Sequence, residues 1–239
     1  MIDQWELGAT GLTLAYGAAV NRLLPKRAYV PANLTAATLF VVLARRSGAT
    51  WADMGMRRDR AGRGLRMGLV ATAPVAALLS LALALPCSRR LVTVERRPGV
   101  RVRGIAFELL VRVPLGTALP EEVIFRGALL GASLARSSQG KATAFSSVLF
   151  GLWHVLPTLD ALALNPMPGP GARGKAGGVG DAVLVTTAAG FALARVRFTA
   201  DSLVAPVVIH ALTNALGLLA GRGGRSPGWR QILRREGFS

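Results

Sequence analysis

The chain is 239 residues long and 51% hydrophobic, with a mean hydropathy of +0.43, and this composition excludes an ordinary water-soluble domain. Lysine and arginine together outnumber aspartate and glutamate by 29 to 12. The single cysteine, Cys87, excludes an intrachain disulfide and a thiolate metal cluster.

A series of apolar runs predicts membrane-spanning helices. The first run follows acidic residues where a signal peptide has basic ones, so we expect no cleavage there. The clearest run, 65–86, has no charge after Arg66 and reaches the roughly 18 to 20 residues that cross a hydrocarbon core. The pattern predicts an all-α, polytopic transmembrane bundle of about eight helices in a single domain over 1–239. The candidate spans are 7–24, 30–44, 65–86, 104–119, 121–135, 142–157, 181–196 and 202–220.

The excess positive charge lies between and after the apolar runs. No aromatic residues interleave it and no nucleic-acid motif accompanies it, so it favours anionic lipid and positive-inside topology over nucleic acid. The arginine-rich C-terminal tail is therefore expected in the cytoplasm. Two more clusters flank the 65–86 run, so either that helix is re-entrant or one cluster is tolerated outside. The clusters are Arg45, Arg46, Arg57, Arg58, Arg60, Arg63 and Arg66, and Arg89, Arg90, Arg96, Arg97, Arg101 and Arg103; the tail has Arg222, Arg225, Arg230, Arg234 and Arg235.

Ionisable residues inside apolar runs cost of order 3 kcal/mol each, so each is a candidate functional residue. The first group is Pro120-Glu121-Glu122-Val-Ile-Phe-Arg126, where proline suits a first helical turn and the acids suit the positive end of a helix dipole. Glu122 and Arg126 can pair on one face, whereas Glu121 points about 100° away. One carboxylate can be structural and the other chemical. The alternative is an ordinary acidic helix start with a surface ion pair.

Both histidines of the chain also lie in apolar runs. His154 ends the run Phe150-Gly-Leu-Trp-His154, where a lone histidine is commonly a satisfied interface residue. His210 and Asn214 are four apart on one helix face, and such a pair can simply bond across helices. Chance placement would have put one histidine in a loop. Together with a carboxylate, these side chains therefore indicate activation of water and stabilisation of an oxyanion in amide hydrolysis.

Two other features are interpreted as structural. Glu108 and Arg112, four apart in an apolar run, are read as a neutralising pair outside the active site. The stretch 165–180 is rich in glycine and proline, so we expect an exposed, non-helical loop there.

The ordered motifs EExxxR, FxxxH and HxxxN within 120–215 resemble those of the CPBP family. These are the CAAX-prenyl-protease-like and bacteriocin-processing intramembrane proteases, also called the ABI family. Each motif alone is weak, but the ordered trio in a membrane protein is specific. The resemblance implies a helical membrane bundle with a cavity that opens to the cytoplasm or to lipid. It also implies an intramembrane endopeptidase that hydrolyses a peptide bond of a membrane-associated substrate.

The same resemblance implies a role for each motif position. A glutamate and a histidine activate water, a histidine and an asparagine hold the tetrahedral oxyanion, and a glutamate–arginine pair holds the helix. In this sequence they are, in that order, Glu121 and His154, His210 and Asn214, and Glu122 and Arg126.

The metal content and the partners are also expectations from the resemblance. The family is commonly classed as metallopeptidase, although a metal-free glutamate mechanism has also been argued, and both stay open. In the first case Glu121, His154 and His210 would supply three zinc ligands with one open position. The expected partners are membrane lipid and a membrane-associated protein or peptide, in a bacterial cell membrane. The alternative is a catalytically silent scaffold or bacteriocin-immunity-type regulator that retains the polar trio for packing.

Overall fold

A computed structural model describes residues 3–84, 102–164 and 171–223, and every regular element in these ranges is helical. The helices in these ranges number seven when the two segments on either side of His154 are counted as one helix. The predicted all-α bundle is confirmed. The helices are α1 Gln4–Arg22, α2 Tyr29–Arg46, α3 Ala61–Ala84, α4 102–134, α5 Gln139–Trp153, α6 Val155–Leu164, α7 Gly171–Ala200 and α8 Val204–Gly223.

The outer faces of the long helices are apolar. In α3, Val70 and Leu78 are 69% and 68% exposed, and Leu184 and Val185 in α7 are equally exposed. Apolar surface of this extent is typical of contact with lipid rather than water. The protein is therefore an integral membrane protein. Within the described ranges, four helices are long and apolar enough to cross a membrane, Lys26–Arg46, Arg58–Leu81, Gln139–Ala163 and Gly174–Ala200, and a shorter apolar helix covers Val204–Ala220.

Residues 102–134 form one continuous helix, α4, although the sequence predicted two helices separated at Pro120. Two π-helical stretches, Glu108–Ala118 and Val123–Leu129, flank an α-helical turn at Leu119–Glu122. Proline lacks the N–H donor of a helical turn. A π stretch, however, moves the hydrogen-bond partner by one residue, so the chain passes its prolines with helical dihedral angles. The expected helix start is wrong, and both glutamates lie in the middle of a helix.

The glycine-rich stretch is helical where the structure describes it. Because α7 begins at Gly171, residues 171–180 are helix, which corrects the exposed loop expected at 165–180; residues 165–170 lie outside the described ranges. Glycine costs a helix in water about 1 kcal/mol. Inside a membrane the backbone has no water to bond, so the helix remains the favoured conformation and glycine is more frequent in it.

The helix between the two arginine clusters is long enough to span fully. α3 is continuous over 24 residues, or about 36 Å, so it has no re-entrant turn. Of the second arginine cluster only Arg103 lies in the described ranges, and of the tail arginines only Arg222 does. Cys87 also lies outside them.

Small residues let the helices that carry the polar motifs approach closely. A Cβ added to Gly68 of α3 would lie 2.8 Å from Val208 Cβ and 2.9 Å from the carbonyl oxygen of Ala205 in α8. A Cβ added to Gly190 of α7 would lie 2.9 Å from Ser147 Cβ in α5. Such contacts are typical of membrane helices, which pack through small residues. They hold α8 and α5 in position against α4.

Candidate active site

The polar motifs meet where α5 and α8 pack against the middle of α4. Glu121 and Glu122 lie in α4, His154 lies at the junction of α5 and α6, and His210 and Asn214 lie in α8. His210 is buried, and the half-buried His154 lines a cavity.

Glu122, Arg126 and His210 form a buried charged cluster. Glu122 and Arg126 have no exposed side-chain surface, and Arg126 Nη1 donates to Glu122 Oε1 at 3.1 Å. His210 Nδ1 lies 2.8 Å from the same oxygen. A carboxylate only accepts, so Nδ1 carries a proton and donates it. Glu122 therefore has two partners, whereas sequence reasoning assigned it only Arg126.

An aromatic ring contacts the guanidinium of Arg126. The Cζ atom of Arg126 lies 3.9 Å from the centroid of the Phe150 ring, and a desolvated cation–π contact of this kind contributes about 2 kcal/mol. The Nε and Nη2 atoms of Arg126 donate no hydrogen bond to any described residue. Within the described ranges, Glu122 and Phe150 therefore stabilise the buried charge.

Glu121 has different surroundings from its neighbour. Trp153 Nε1 donates to Glu121 Oε1 at a long 3.3 Å. The other oxygen, Oε2, lies 3.8 Å from His210 Nε2, beyond hydrogen-bonding distance, and accepts no hydrogen bond from the described residues. The Glu121 carboxylate therefore retains the capacity to accept a proton.

His154 has one ring nitrogen engaged and the other without a partner among the described residues. Its Nδ1 lies 2.7 Å from the carbonyl oxygen of Phe150, so Nδ1 donates and Nε2 of the neutral ring is an acceptor. The Phe150 ring meets the imidazole edge-on, with centroids 4.6 Å apart. It also meets the His210 ring edge-on at 6.0 Å. Phe150 thus orients three polar side chains of the site.

A cavity of about 510 Å³ brings Glu121, His154 and Asn214 together. The described residues that line it do not include Glu122, Arg126 or His210. His210 lies beside the cavity, with Nε2 3.8 Å from Oε2 of the lining residue Glu121. The lining residues are Asn21, Tyr29, Glu108, Arg112, Val113, Thr117, Glu121, Trp153, His154, Pro157, Thr213, Asn214, Gly217 and Leu218.

Glu108 and Arg112, interpreted as a neutralising pair, also line this cavity. The pair exists, since Arg112 Nη1 donates to both Glu108 oxygens at 3.0 and 3.1 Å. It nevertheless lines the same cavity as Glu121, and the Arg112 guanidinium lies 4.9 Å from the Tyr29 ring centroid. The spacing of Glu108 and Arg112 along one helix predicted the pair. It could not predict the cavity, because other lining residues, such as Tyr29 of α2, come from other helices.

The three candidate zinc ligands, Glu121, His154 and His210, are not grouped as a metal site in the described ranges. Within the described ranges, no three histidine, cysteine, aspartate or glutamate side chains are placed to hold a metal ion. His210 Nδ1 is bonded to Glu122, and His154 Nδ1 is bonded to a backbone carbonyl. These bonds engage only Nδ1 and leave Nε2 of each histidine uncommitted, as in histidines that bind zinc. Zinc binding by Glu121, His154 and His210 stays a prediction, and no step below uses a metal.

The part of the chain that carries these residues is similar to a known family. Residues 104–216, just under half of the chain, match the model of the Rce1-like family, described as type II CAAX prenyl endopeptidases. Residues 104–216 are similar to the CAAX-protease-like family. The predicted recognition is thereby confirmed, and at family level the activity is that of an intramembrane endopeptidase. The CAAX-protease-like segment contains all three motifs. No curated protein and no solved structure matches the chain.

Proposed function

We propose that this protein is an intramembrane endopeptidase that hydrolyses a peptide bond of a membrane-associated protein, with Glu121 as the general base. One observation carries the proposal: of two adjacent buried glutamates, Glu122 is bonded to Arg126 and His210, while Glu121 lines the cavity shared with His154 and Asn214. The carboxylate that is not engaged by a cation is the one that can take a proton from water.

The first step uses Glu121 and His154. A water in the cavity gives one proton to the Glu121 carboxylate. The other hydrogen of that water donates a hydrogen bond to Nε2 of His154. The water oxygen attacks the scissile carbonyl carbon, and the carbonyl oxygen becomes an oxyanion. Because the cavity lies in a low-dielectric surrounding, fixed donors stabilise that charge more strongly than water does.

The second step uses His210, Asn214 and the proton that Glu121 holds. The Asn214 amide and His210 Nε2 donate to the oxyanion. Since His210 Nδ1 already donates to Glu122, His210 donates from Nε2 as an imidazolium. It takes that extra proton from solvent before the substrate binds and keeps it throughout, and the adjacent Glu122 carboxylate stabilises the charge. The tetrahedral intermediate then collapses, the C–N bond breaks, and Glu121 returns its proton to the leaving amine nitrogen.

The decisive experiment compares wild-type protein with Glu121→Gln, using purified protein in lipid vesicles and a library of membrane-tethered peptides. Glutamine keeps the volume and can still accept the Trp153 hydrogen bond, but it cannot act as a base. We expect turnover to fall by at least about 10²-fold, with the thermal unfolding midpoint unchanged. A chelator should leave wild-type turnover unchanged, because no step of the proposed mechanism uses a metal. Cleavage by a stable Glu121→Gln protein at the wild-type rate would overturn the proposal.

The fully buried Glu122–Arg126 pair favours one alternative, a silent membrane scaffold or immunity-type regulator, since a scaffold would also retain this pair for packing. A scaffold tolerates Glu121→Gln in every biological assay and fails with Arg126→Ala, which leaves Glu122 without its cation. A protease fails with both.

A further inference from the structure

A second cavity, separate from the active site, lies between α1, α2 and α4. It has a volume of about 370 Å³ and shares no lining residue with the active-site cavity. Trp5, Gly8 and Leu12 of α1 and Phe40 and Leu43 of α2 line its length. Leu12 and Leu43 are also 45% and 41% exposed, so the cavity is an apolar groove on the outer surface of the bundle. We call it the α1–α2 groove.

One end of the α1–α2 groove is cationic. Arg46, the last residue of α2, lines this end beside Ser47. Its side chain is exposed, and among the described residues its guanidinium has no hydrogen-bond or ion-pair partner. The neighbouring Arg136 donates from Nη2 to the Ser47 carbonyl oxygen at 2.8 Å, and its Cζ lies 5.1 Å from the Trp5 ring centroid. Asp3, 4.0 Å from Arg136, offsets that charge, so Arg46 is the cation available to a ligand.

An apolar groove with a tryptophan and a free guanidinium at one end matches the chemistry of a phospholipid. Tryptophan is enriched at the level of lipid headgroups, and α2 is long and apolar enough to span the membrane, so Arg46 at its end lies near that level. Arginine also pairs well with phosphate. We propose that the α1–α2 groove binds an anionic phospholipid, with an acyl chain along Gly8, Leu12 and Leu43 and the phosphate at Arg46 beside Trp5. This inference does not depend on the proposed function.

The acyl-chain contact is tested with two matched glycine substitutions in α1. A Cβ at Gly8 or Gly11 would meet no atom within 4 Å, and both glycines are exposed, but only Gly8 lines the groove. Leucine also suits a helix better than glycine does, so both variants should fold. The measurement is native mass spectrometry of the full chain in detergent, with dioleoyl phosphatidylglycerol added in steps. Gly8→Leu should weaken the one-to-one adduct by at least about tenfold, and Gly11→Leu should match the wild type.

The headgroup contact is tested with Arg46→Gln against Arg58→Gln. Arg58 is exposed at the start of the helix that follows α2 and lies outside the groove lining, so its loss removes the same charge. Arg46→Gln should lower affinity for phosphatidylglycerol about fivefold and abolish its advantage over phosphatidylcholine, while Arg58→Gln retains both. Three results would each overturn the proposal: equal binding of the two lipids by the wild type, equal effects of the two glycine variants, or equal effects of the two arginine variants. A co-purifying peptide in the groove instead of lipid would also overturn it.

Discussion

Two adjacent carboxylates, Glu121 and Glu122, differ because their helix turns them toward different neighbours. Glu122 faces Arg126 and His210, which lies 88 residues away along the chain, and all three side chains are buried. Glu121 meets Trp153 and the cavity. The bond between His210 Nδ1 and Glu122 fixes which histidine nitrogen faces Glu121.

The role of Glu122 can be separated from that of its ion pair. Glu122→Gln alone leaves Arg126 as a buried charge without its carboxylate, so we expect a loss of about 3–5 kcal/mol in stability. Adding Arg126→Gln removes that charge and should restore most of the stability. Turnover should remain at least about tenfold below wild type, because His210 still lacks its carboxylate. Thermal unfolding and cleavage are measured on the same preparations. If the double variant regains wild-type turnover, Glu122 only holds the helix.

Arg112 should affect substrate binding rather than chemistry. It lines the cavity and is paired with Glu108, and no hydrogen bond or ion pair among the described residues joins it to Glu121. Arg112→Gln should therefore raise KM about fivefold or more and change kcat by less than about twofold. Arg22, in an exposed pair with Asp160, provides the control: Arg22→Gln should change neither constant. A fall in kcat at unchanged KM would contradict this role for Arg112.

At the scale of elements, the contact between α3 and α8 positions His210. Gly68 lies against Val208, two residues before His210, with no room for a Cβ, and the opposing atoms are a Cβ and a backbone oxygen that cannot turn away. Gly68→Ala should push α8 outward, lowering stability by about 1–3 kcal/mol and turnover by about tenfold or more. Gly62, in the same helix, has nothing within 4 Å of an added Cβ. Gly62→Ala is the matched control and should retain full turnover, and equal losses in the two variants would contradict the close-contact argument.

The elements also show where periodicity misled. The prolines and the polar residues around 120 favoured a helix start, but the π stretches of α4 carry the helix through them. Similarly, the glycines at 171–180 favoured a loop, yet they lie in α7. Both errors come from rules for helices in water, where a broken backbone bond can be replaced by solvent. In a membrane it cannot.

At the scale of the whole molecule, the bundle has basic residues at more than one end, so the positive-inside rule alone does not orient it. The α2–α3 connection meets the start of α8, where Leu203 N donates to the Gly55 carbonyl oxygen at 2.8 Å. The C-terminus of α8 therefore lies at the end of the bundle opposite the α2–α3 connection. The cavity residues Gly217 and Leu218 lie near this C-terminus.

This arrangement makes a topology prediction. If the C-terminal tail is cytoplasmic, as we propose, the α2–α3 connection lies on the other side of the membrane. In a Cys87→Ser background, an impermeant thiol reagent added to intact cells should label Ala52→Cys but not a cysteine appended to the tail. The protein should also need detergent for extraction, because its outer helix faces are apolar. Labelling of the tail from outside would show that the orientation is the opposite of the one proposed. Release of the protein by a carbonate wash would contradict the membrane bundle.

The sequence by itself determined the class of the molecule and its three motifs. The hydropathy of a segment indicates whether lipid or water surrounds it. Two residues four apart in a helix lie on the same face regardless of how the rest of the chain folds. Tertiary structure alone decided that His210 bonds to Glu122, that Trp153 bonds to Glu121, and that Glu108 and Arg112 line the cavity. These contacts depend on how each helix is rotated and how closely its glycines allow a neighbour to approach. Rotation and approach are set by packing among distant segments, which no local pattern records.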